Sequence, residues 1–326
     1  MADFDWALWL PYIFAALMGI AILVYVILDG FDLGIGILSP LADDTQKDRM
    51  VSAIGPFWDA NETWLVLAVG LLLVAFPVAH GVILTTLYFP VAVLLIGLIL
   101  RGVAFEFRSK NELPGWRAFW DWSIFGSSFV AALLWGVAMS NLIRGVPIDG
   151  SKTYVGGFFN LLHPFCLVGG LAAVALFTLH GAVFLALKTD GEIRLRARAW
   201  ATKLWLPTVI LVGAYVSLFV VATDVIEHVG YNPGIVPFAA VIALLLVRYY
   251  LGKEREGWAF IMTGLAVVFS TVTVFVGLFP RLMVSSLDPE WSLTIYNASS
   301  SHYTLKLMSI VAAALVPVVL IYQGWT

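Results

Sequence analysis

The sequence has little of the charge that a soluble protein needs at its surface. Asp, Glu, Lys and Arg together make up 12% of its 326 residues, whereas 61% are hydrophobic, and the mean hydropathy is +0.95. The long apolar runs also lack the alternation of polar and apolar faces that half-exposed helices of a soluble fold require. This scarcity of charge excludes a soluble globular protein.

Cysteine and histidine are scarce as well. The one cysteine, Cys166, lies inside an apolar run and cannot form an internal disulfide. No CxxCH motif or His-rich tract is present, and no two histidines share a predicted helix at a haem-ligand or metal-ligand spacing. The five histidines are His80, His163, His180, His228 and His302. The sequence therefore predicts no haem or metal ligand in this chain, and its net charge of −3 predicts no nucleic-acid partner.

Apolar runs of membrane-spanning length recur along the whole chain. A helix needs about 20 apolar residues to cross a hydrocarbon core of about 30 Å. Nine helices are predicted, at about 7–38, 54–76, 81–101, 119–140, 160–187, 204–222, 234–251, 258–280 and 303–323. The start MADFDW lacks the basic residues of a signal peptide, so the first span is expected to stay in the mature protein. The predicted fold class is an all-α integral membrane protein with nine transmembrane helices.

Basic residues indicate how these spans are oriented. The loops after spans one, three, five and seven hold fourteen of the 18 lysines and arginines, and the opposite loops hold three. Positive loops stay in the cytoplasm, so the N-terminus is predicted outside and the C-terminus inside. Long outer loops divide the chain into two four-helix bundles and one additional helix. The predicted units are 1–140, the loop 141–159, 160–280, the loop 281–302, and 303–326.

Two pairs of acids lie beside or within the first two predicted spans. Asp29 and Asp32 are three residues apart on one helical face, and Asp59 and Glu62 repeat that spacing in GPFWDANETW. If the second span begins near residue 54, Glu62 lies about 12 Å along it at 1.5 Å per residue. An acid at this depth must be protonated, paired or hydrated. The pattern predicts a proton path that opens toward the cytoplasm.

Shorter spans would give these acids an ordinary explanation. Residues 7–28 and 63–79 could each cross the membrane alone, and all four acids would then be solvated at its surface. The same choice applies to LRGVAFEFRSK at the end of the third predicted span. Arg101, Glu106 and Arg108 are candidates for ion pairs with carboxylates of the first loop, or they form a plain positive flank.

Several motifs, in order along the chain, resemble subunit II of cytochrome bd-type quinol oxidases. The resemblance extends from Trp9 to Tyr322. It rests on DGFDLGIGIL (29–38), GPFWDANETWLV (55–66), RGVAFEFRSK (101–110), FWDWSIFGSSF (119–129), TDGEIRLRARA (189–199) and GLFPRLMVSS (277–286). It implies a two-bundle, nine-helix fold in a complex of the bacterial cytoplasmic membrane that oxidises quinol and reduces dioxygen to water.

The resemblance also implies roles for partners and residues. Two b-type haems and one d-type haem would belong to the partner, subunit I, and this chain would ligate none. Asp29 and Asp59 match acids assigned to proton transfer, whereas Glu62 stands where the family tolerates neutral residues. Trp64 matches a tryptophan proposed to border an oxygen-access path. Membrane lipids and a small single-helix subunit are further candidate partners, and the apolar bundle could hold a quinone or a lipid.

Two other functions use the same residues. A proton-coupled secondary transporter would also need buried acids, but it would show an internal repeat with discontinuous helices at the membrane midplane. No clear repeat is visible in the sequence. A purely structural partner subunit would use the acids for interface pairing alone. Acid-to-amide substitutions would then impair assembly without changing the reaction rate.

Overall fold

The computed structural model describes residues 6–223 and 234–325, and these are almost entirely helical. The helices are α1 (Trp6–Leu38), α2 (Asp44–Ile54), α3 (Trp58–Ala75), α4 (Pro77–Thr86), α5 (Tyr88–Phe107), α6 (Pro114–Arg144), α7 (Pro164–Lys188), α8 (Gly191–Ala222), α9 (Val236–Gly252), α10 (Glu256–Leu278) and α11 (His302–Trp325). Seven helical segments among the described residues are long and apolar enough to cross a membrane, and α9 and residues 302–318 are shorter apolar helices. His228 lies outside the described residues.

Some helix boundaries differ from the predicted ones, in one case at prolines and in another at a charged segment. The helix predicted at 81–101 is replaced by α4 and α5, and prolines 77 and 90 lie in their first turns. Pro is favoured in a first turn because it lacks the N–H that a helix interior must pair. The helix predicted from 204 instead begins at Gly191, because the charged segment EIRLRARA continues the helix beyond the apolar run.

The second predicted span also begins later than expected. Residues 44–54 form α2, a short helix of low hydrophobicity that starts with a capping box between Asp43 and Gln46. Because α3 begins only at Trp58, Glu62 lies about 6 Å along its helix, not about 12 Å. Most of the apolar residues before Asp59 therefore belong to α2 and to the turn at 55–57, and not to a span.

Helices α1 and α7 form the centre of the main core. Their backbones approach so closely that a Cβ atom at Gly34 would lie 1.9 Å from the carbonyl oxygen of Phe177, and one at Gly181 would lie 2.6 Å from the Ile35 nitrogen. Small residues permit such contacts between membrane helices. One continuous core includes residues of α1, α2 and α5–α10, so the two predicted helix groups are joined through α1 and α7.

The two ends of the bundle differ in structure. One end carries α2, and we call it the α2 end. The other carries a short antiparallel pair of strands, β1 (Arg281–Met283) and β2 (Leu293–Thr294), and we call it the β end. The loop before α11 is fixed to the end of α3, because the Ser300 nitrogen donates to the Ala75 carbonyl at 2.8 Å. The loops at 145–163 and 279–301 both lie at the β end, close to the predicted outer loops.

Candidate functional site

The site is built around one arginine of α5. Arg101 is fully buried, and its Nη2 lies 2.5 Å from an oxygen of Asp29 on α1 and 2.5 Å from Glu62 Oε1 on α3. Its Nε also donates to Glu62 Oε1 at 3.2 Å. Asp29 is completely buried, whereas 19% of the Glu62 side chain is exposed. A single guanidinium therefore joins carboxylates of two other helices.

Asp32 lies in the same region but has a different partner. Its Oδ2 accepts a hydrogen bond of 2.8 Å from Nδ2 of Asn61 on α3. Both side chains are buried, and Asp32 has no exposed surface. The amide nitrogen of Asn61 also lies 3.5 Å from the carbonyl oxygen of Leu28. Asn61 thus ties the start of α3 to α1 beside the arginine.

The structure brings three of the four predicted acids together and leaves the fourth at the surface. Asp59 is exposed in the first turn of α3, where a carboxylate interacts favourably with the helix dipole. Glu62 follows Asp59 by one helical turn. Trp64 is partly buried against the main core. Asp59 therefore lies between the surface at the α2 end and the buried acids.

Arg108 belongs to a separate ionic cluster at the α2 end. Its Nε lies 2.5 Å from Asp121 on α6, and its Nη1 contacts Asp48 on α2. Lys47 reaches the other oxygen of Asp121 at 2.9 Å. Arg108 therefore pairs with a carboxylate of the first loop, whereas Arg101 pairs with acids inside helices. Glu106 is exposed and has no ion pair among the described residues.

A large apolar cavity adjoins the arginine site. Its volume is about 1080 Å³, and α1, α3, α4, α5, α6 and α10 line it. Glu62 contributes to its wall, and His80, Tyr12 and Arg281 line it nearer the β end. The cavity is partly open to the surface of the bundle, and it is far larger than the water-sized voids that close-packed protein leaves. A cavity of this size indicates space for an apolar ligand.

The comparisons with known proteins identify the family. Residues 10–326 match the model of the family described as cytochrome bd terminal oxidase subunit II. This chain belongs to that family.

Relatives and a solved structure agree with this assignment. The chain is 35% identical over 312 residues to cytochrome bd ubiquinol oxidase subunit 2 of Bacillus subtilis (strain 168), covering 95% of this chain and 92% of the relative. It is 33% identical over 351 residues to cytochrome bd-I ubiquinol oxidase subunit 2 of Escherichia coli (strain K12), with coverage of 97% and 93%. A chain of the bd oxidase structure from Geobacillus thermodenitrificans shares the fold, with a TM-score of 0.75, 18% identity and coverage of 96% and 97%.

Among the histidines that the structure describes, His180 is the one fully buried within a helix. Its Nδ1 is 2.7 Å from the Thr263 hydroxyl, and its Nε2 is 3.2 Å from the Ile27 carbonyl oxygen. The ring also stacks on Phe260 with centroids 4.7 Å apart. Because both nitrogens are engaged, the histidine joins α7 to α1 and α10 and does not present a nitrogen to a haem.

Sequence reasoning missed two residues of these clusters. Asn61 lies inside GPFWDANETW, between the two acids that were selected, but an asparagine carries no charge to mark it as buried. Asp121 lies in FWDWSIF at the start of a predicted span, and only the fold shows that Arg108 and Lys47 meet it. For Asn61, the signal that could have found it is its position two residues after Asp59 at the head of an apolar run.

Proposed function

We propose that this chain is subunit II of a quinol oxidase and passes protons toward the oxygen-reducing centre of its partner. Its family and its relatives, which are named as ubiquinol oxidase subunits, support a place in a quinol:oxygen oxidoreductase. The observation that carries the proton role is the buried cluster of Asp29, Asp32 and Glu62 around one arginine. Buried carboxyl groups are kept at functional sites despite their cost in a membrane.

The proposed setting is the bacterial cytoplasmic membrane, crossed nine times. The seven long apolar helices and the two shorter ones supply those crossings. The α2 end carries most of the basic residues, including Lys47, Arg108 and Arg117, so it faces the cytoplasm in this proposal. The N-terminus then lies outside and the C-terminus inside. Two four-helix bundles with α11 as the ninth helix describe the arrangement.

The proposed partner is subunit I, which would bind two b-type haems and one d-type haem. Those haems supply the electron transfer and oxygen chemistry when bound. This chain would stabilise subunit I through its apolar outer faces, with surrounding lipid and a small single-helix subunit as candidate further partners. Trp64, partly buried on α3, is proposed to border the route by which oxygen reaches the partner.

The physical task of the acids follows from the reaction. Reducing dioxygen to water consumes protons at a site that lies within the membrane, and each proton must cross apolar protein. Asp59 lies exposed at the α2 end, Glu62 follows one turn deeper, and Asp29 and Asp32 are fully buried. These positions form a stepwise path from the surface at the α2 end into the interior. In this proposal each carboxyl group accepts a proton from the group nearer the surface and passes it to the next one inward.

Replacing Asp59 by Asn is expected to slow quinol-dependent oxygen uptake while the complex still assembles. A positioned proton-transfer group contributes about 10²–10⁴-fold to a rate, and water can replace an exposed group in part, so we expect a decrease of at least about tenfold. The measurement is oxygen uptake per haem in the purified two-subunit complex.

Asp44→Asn provides the matched control for this experiment. Asp44 is also an exposed acid in the first turn of a helix, but it pairs only with Lys47 among the described residues. It should retain the normal rate. Full oxygen uptake in Asp59→Asn would remove Asp59 from the path. A loss of assembly with an unchanged rate per haem, in Asp59→Asn and in acid-to-amide variants of the buried cluster, would instead support a purely structural subunit.

The apolar cavity is proposed to hold a quinone or a lipid chain. Its walls are almost wholly apolar, and its ionisable side chains are confined to Glu62 and to the residues near the β end. A long apolar molecule would fill this space and stabilise the surrounding helices through dispersion contacts. Such a molecule would be retained when the complex is purified in mild detergent.

Filling this cavity with a side chain is expected to expel its ligand. Gly70 lines the cavity, and a Cβ atom there would meet nothing within 4 Å. Gly70→Phe should therefore lower the amount of quinone or lipid that co-purifies with the complex by several-fold, as measured by solvent extraction and mass spectrometry. Gly213→Phe, at an equally open position on α8 outside this cavity, is the control. Equal ligand content in both variants would contradict the proposal.

A further inference from the structure

We propose that Asp32 is the carboxyl group of the cluster that holds a proton in the resting protein, and that Asn61 is the residue that positions it. This inference deepens the proposed proton-transfer function of the same site. It concerns which of the three buried acids is neutral, which neither the sequence pattern nor the family assignment specifies.

The first argument is the balance of charge. Asp29, Asp32 and Glu62 bring three carboxyl groups to the site, and Arg101 brings one positive charge. If all three acids were ionised, the buried cluster would carry two uncompensated negative charges. Burying even one unpaired charge is costly, and such a group becomes neutral instead. At least one of the three carboxyl groups is therefore protonated at rest, and the one negative charge that then remains is accommodated at Glu62, whose side chain is 19% exposed and can be hydrated.

The second argument is the assignment of partners. Asp29 and Glu62 each lie 2.5 Å from Nη2 of Arg101, which favours their ionised forms. Asp32 has no ion pair with Arg101 or with any other cation among the described residues. Its Oδ1 is buried without a hydrogen-bond partner there, as is Asp29 Oδ2, so the missing ion pair is what distinguishes Asp32 from Asp29. An ionised Asp32 would leave a charged oxygen without a donor, whereas a neutral carboxyl group leaves only an unpaired hydroxyl, which costs less.

The groups around Asp32 come from several helices, and among the charged ones the two acids that disfavour its ionised form outnumber the one arginine that favours it. On α1, Asp29 repels a negative charge on Asp32, and Tyr25 lies one turn from Asp29. On α3, Glu62 adds a second negative charge. Arg101 on α5 is the cation of the site, and both of its short contacts go to the other acids. On α7, His180 binds the Ile27 carbonyl and Thr263 and not the acid.

Asn61 has the geometry of a positioning residue. Its Nδ2 donates to Asp32 Oδ2 at 2.8 Å and lies 3.5 Å from the Leu28 carbonyl oxygen. The two oxygens near this atom are both acceptors, so they fit the NH₂ group of Asn61 and not its amide oxygen. The direction in which the amide group faces is thereby fixed. The amide then holds one carboxyl oxygen as the hydrogen-bond acceptor and leaves Oδ1 for the proton. A neutral donor favours the ionised form of the carboxyl group less strongly than a cation would.

A paired stability experiment tests the protonation state without using activity. Asparagine resembles a neutral aspartic acid in shape and charge, so Asp32→Asn should leave the apparent melting temperature of the purified complex within about 2 °C of the unmodified protein. Asp29→Asn removes an ionised partner of Arg101 and should lower it by more than about 5 °C. The inference is overturned if Asp32→Asn is the more damaging of the two.

Infrared spectroscopy of the same complexes provides a direct readout. A protonated carboxyl group has a carbonyl stretch that is separate from the bands of ionised carboxylates and shifts in D₂O. This band should disappear in Asp32→Asn, persist in Asp29→Asn, and move in Asn61→Leu, which removes the hydrogen bond to its carbonyl oxygen. If Asn61→Leu fails to assemble, the smaller Asn61→Ser breaks the same bond. An unmoved band would overturn the role of Asn61, and a band that persists in Asp32→Asn would overturn the protonation of Asp32.

These outcomes separate the inference from the proposed function. If the band belongs to Asp32 but Asp32→Asn retains normal oxygen uptake, the proton is stored there and the proton path runs elsewhere. If oxygen uptake falls but the band persists, the path includes Asp32 and the resting proton is on another group, which overturns the inference.

Discussion

Replacing Arg101 by methionine is expected to prevent the chain from reaching a stable assembled state. The substitution would leave Asp29 and Glu62 buried or half-buried without their cation. Removing one member of a buried ion pair typically costs about 3–5 kcal/mol, because the other charge remains uncompensated. The measurement is the amount of the chain in the membrane and the apparent melting temperature of whatever complex can be purified.

Two comparison variants distinguish the loss of the buried positive charge from the general effect of an arginine substitution. Arg248→Met removes an exposed arginine from α9 that has no ion pair among the described residues, and it should have little effect. Arg101→Lys keeps the positive charge but lacks the planar guanidinium that contacts two carboxylates at once. The stability of this variant should therefore lie between those of Arg101→Met and Arg248→Met. Equal melting temperatures for Arg101→Met and the unmodified complex would show that the buried acids do not depend on this arginine.

Gly34→Ala is expected to disrupt the crossing of α1 and α7. The added methyl group would lie 1.9 Å from the Phe177 carbonyl oxygen and 3.0 Å from the Gly181 Cα. These are backbone atoms, so the helices themselves must separate. Overpacking of a well-packed core costs about 1–3 kcal/mol when side chains can adjust, and the loss here should be at least that large. The fraction of chain recovered in the folded complex measures it.

The same helix supplies the control for this substitution. Gly19 also lies on α1, but a Cβ atom there would meet nothing within 4 Å. Gly19→Ala should therefore be neutral, or slightly stabilising through better helix propensity. If both variants behaved alike, the close approach at Gly34 would not contribute to stability. Separation of α1 from α7 would also move Asp29 away from Arg101, so oxygen uptake should fall along with stability.

The positions of the apolar spans could be predicted because membrane thickness sets their length. The break between α4 and α5 and the early start of α8 could not be predicted in this way. A run of apolar residues does not show that a new helix begins at Tyr88, two residues before Pro90. The charged residues after Gly191 form a helix beyond the apolar run. Hydropathy detects burial in lipid, whereas helix ends depend on hydrogen bonding of the backbone.

The sequence predicts which acids belong to the candidate site but not which side chains they bind. The sequence marks Asp29, Asp32 and Glu62 because acids are rare among apolar residues. It does not show that Arg101, 72 residues after Asp29, joins two of them while Asn61 binds the third. Nor does the sequence place Asp59 at the surface, because the apolar residues before Asp59 resemble part of a span. Such pairings depend on how the helices pack, and spacing along one chain does not encode that packing directly.

The separation between Asp29 and Arg101 also affects how the protein is made. At about 5–20 residues per second, the ribosome needs about 4–14 s to synthesise the 72 residues that separate the acid from its cation. During that interval α1 holds two carboxyl groups that have no partner from α5. An ionised acid at a helix centre costs about 2.5–3.5 kcal/mol on insertion scales. Either these acids enter the lipid protonated, or α1 stays beside the insertion machinery until α5 arrives. The order in which the helices are made thus favours a first helix of 33 residues, whose long apolar surface offsets the cost of its acids before their partner exists.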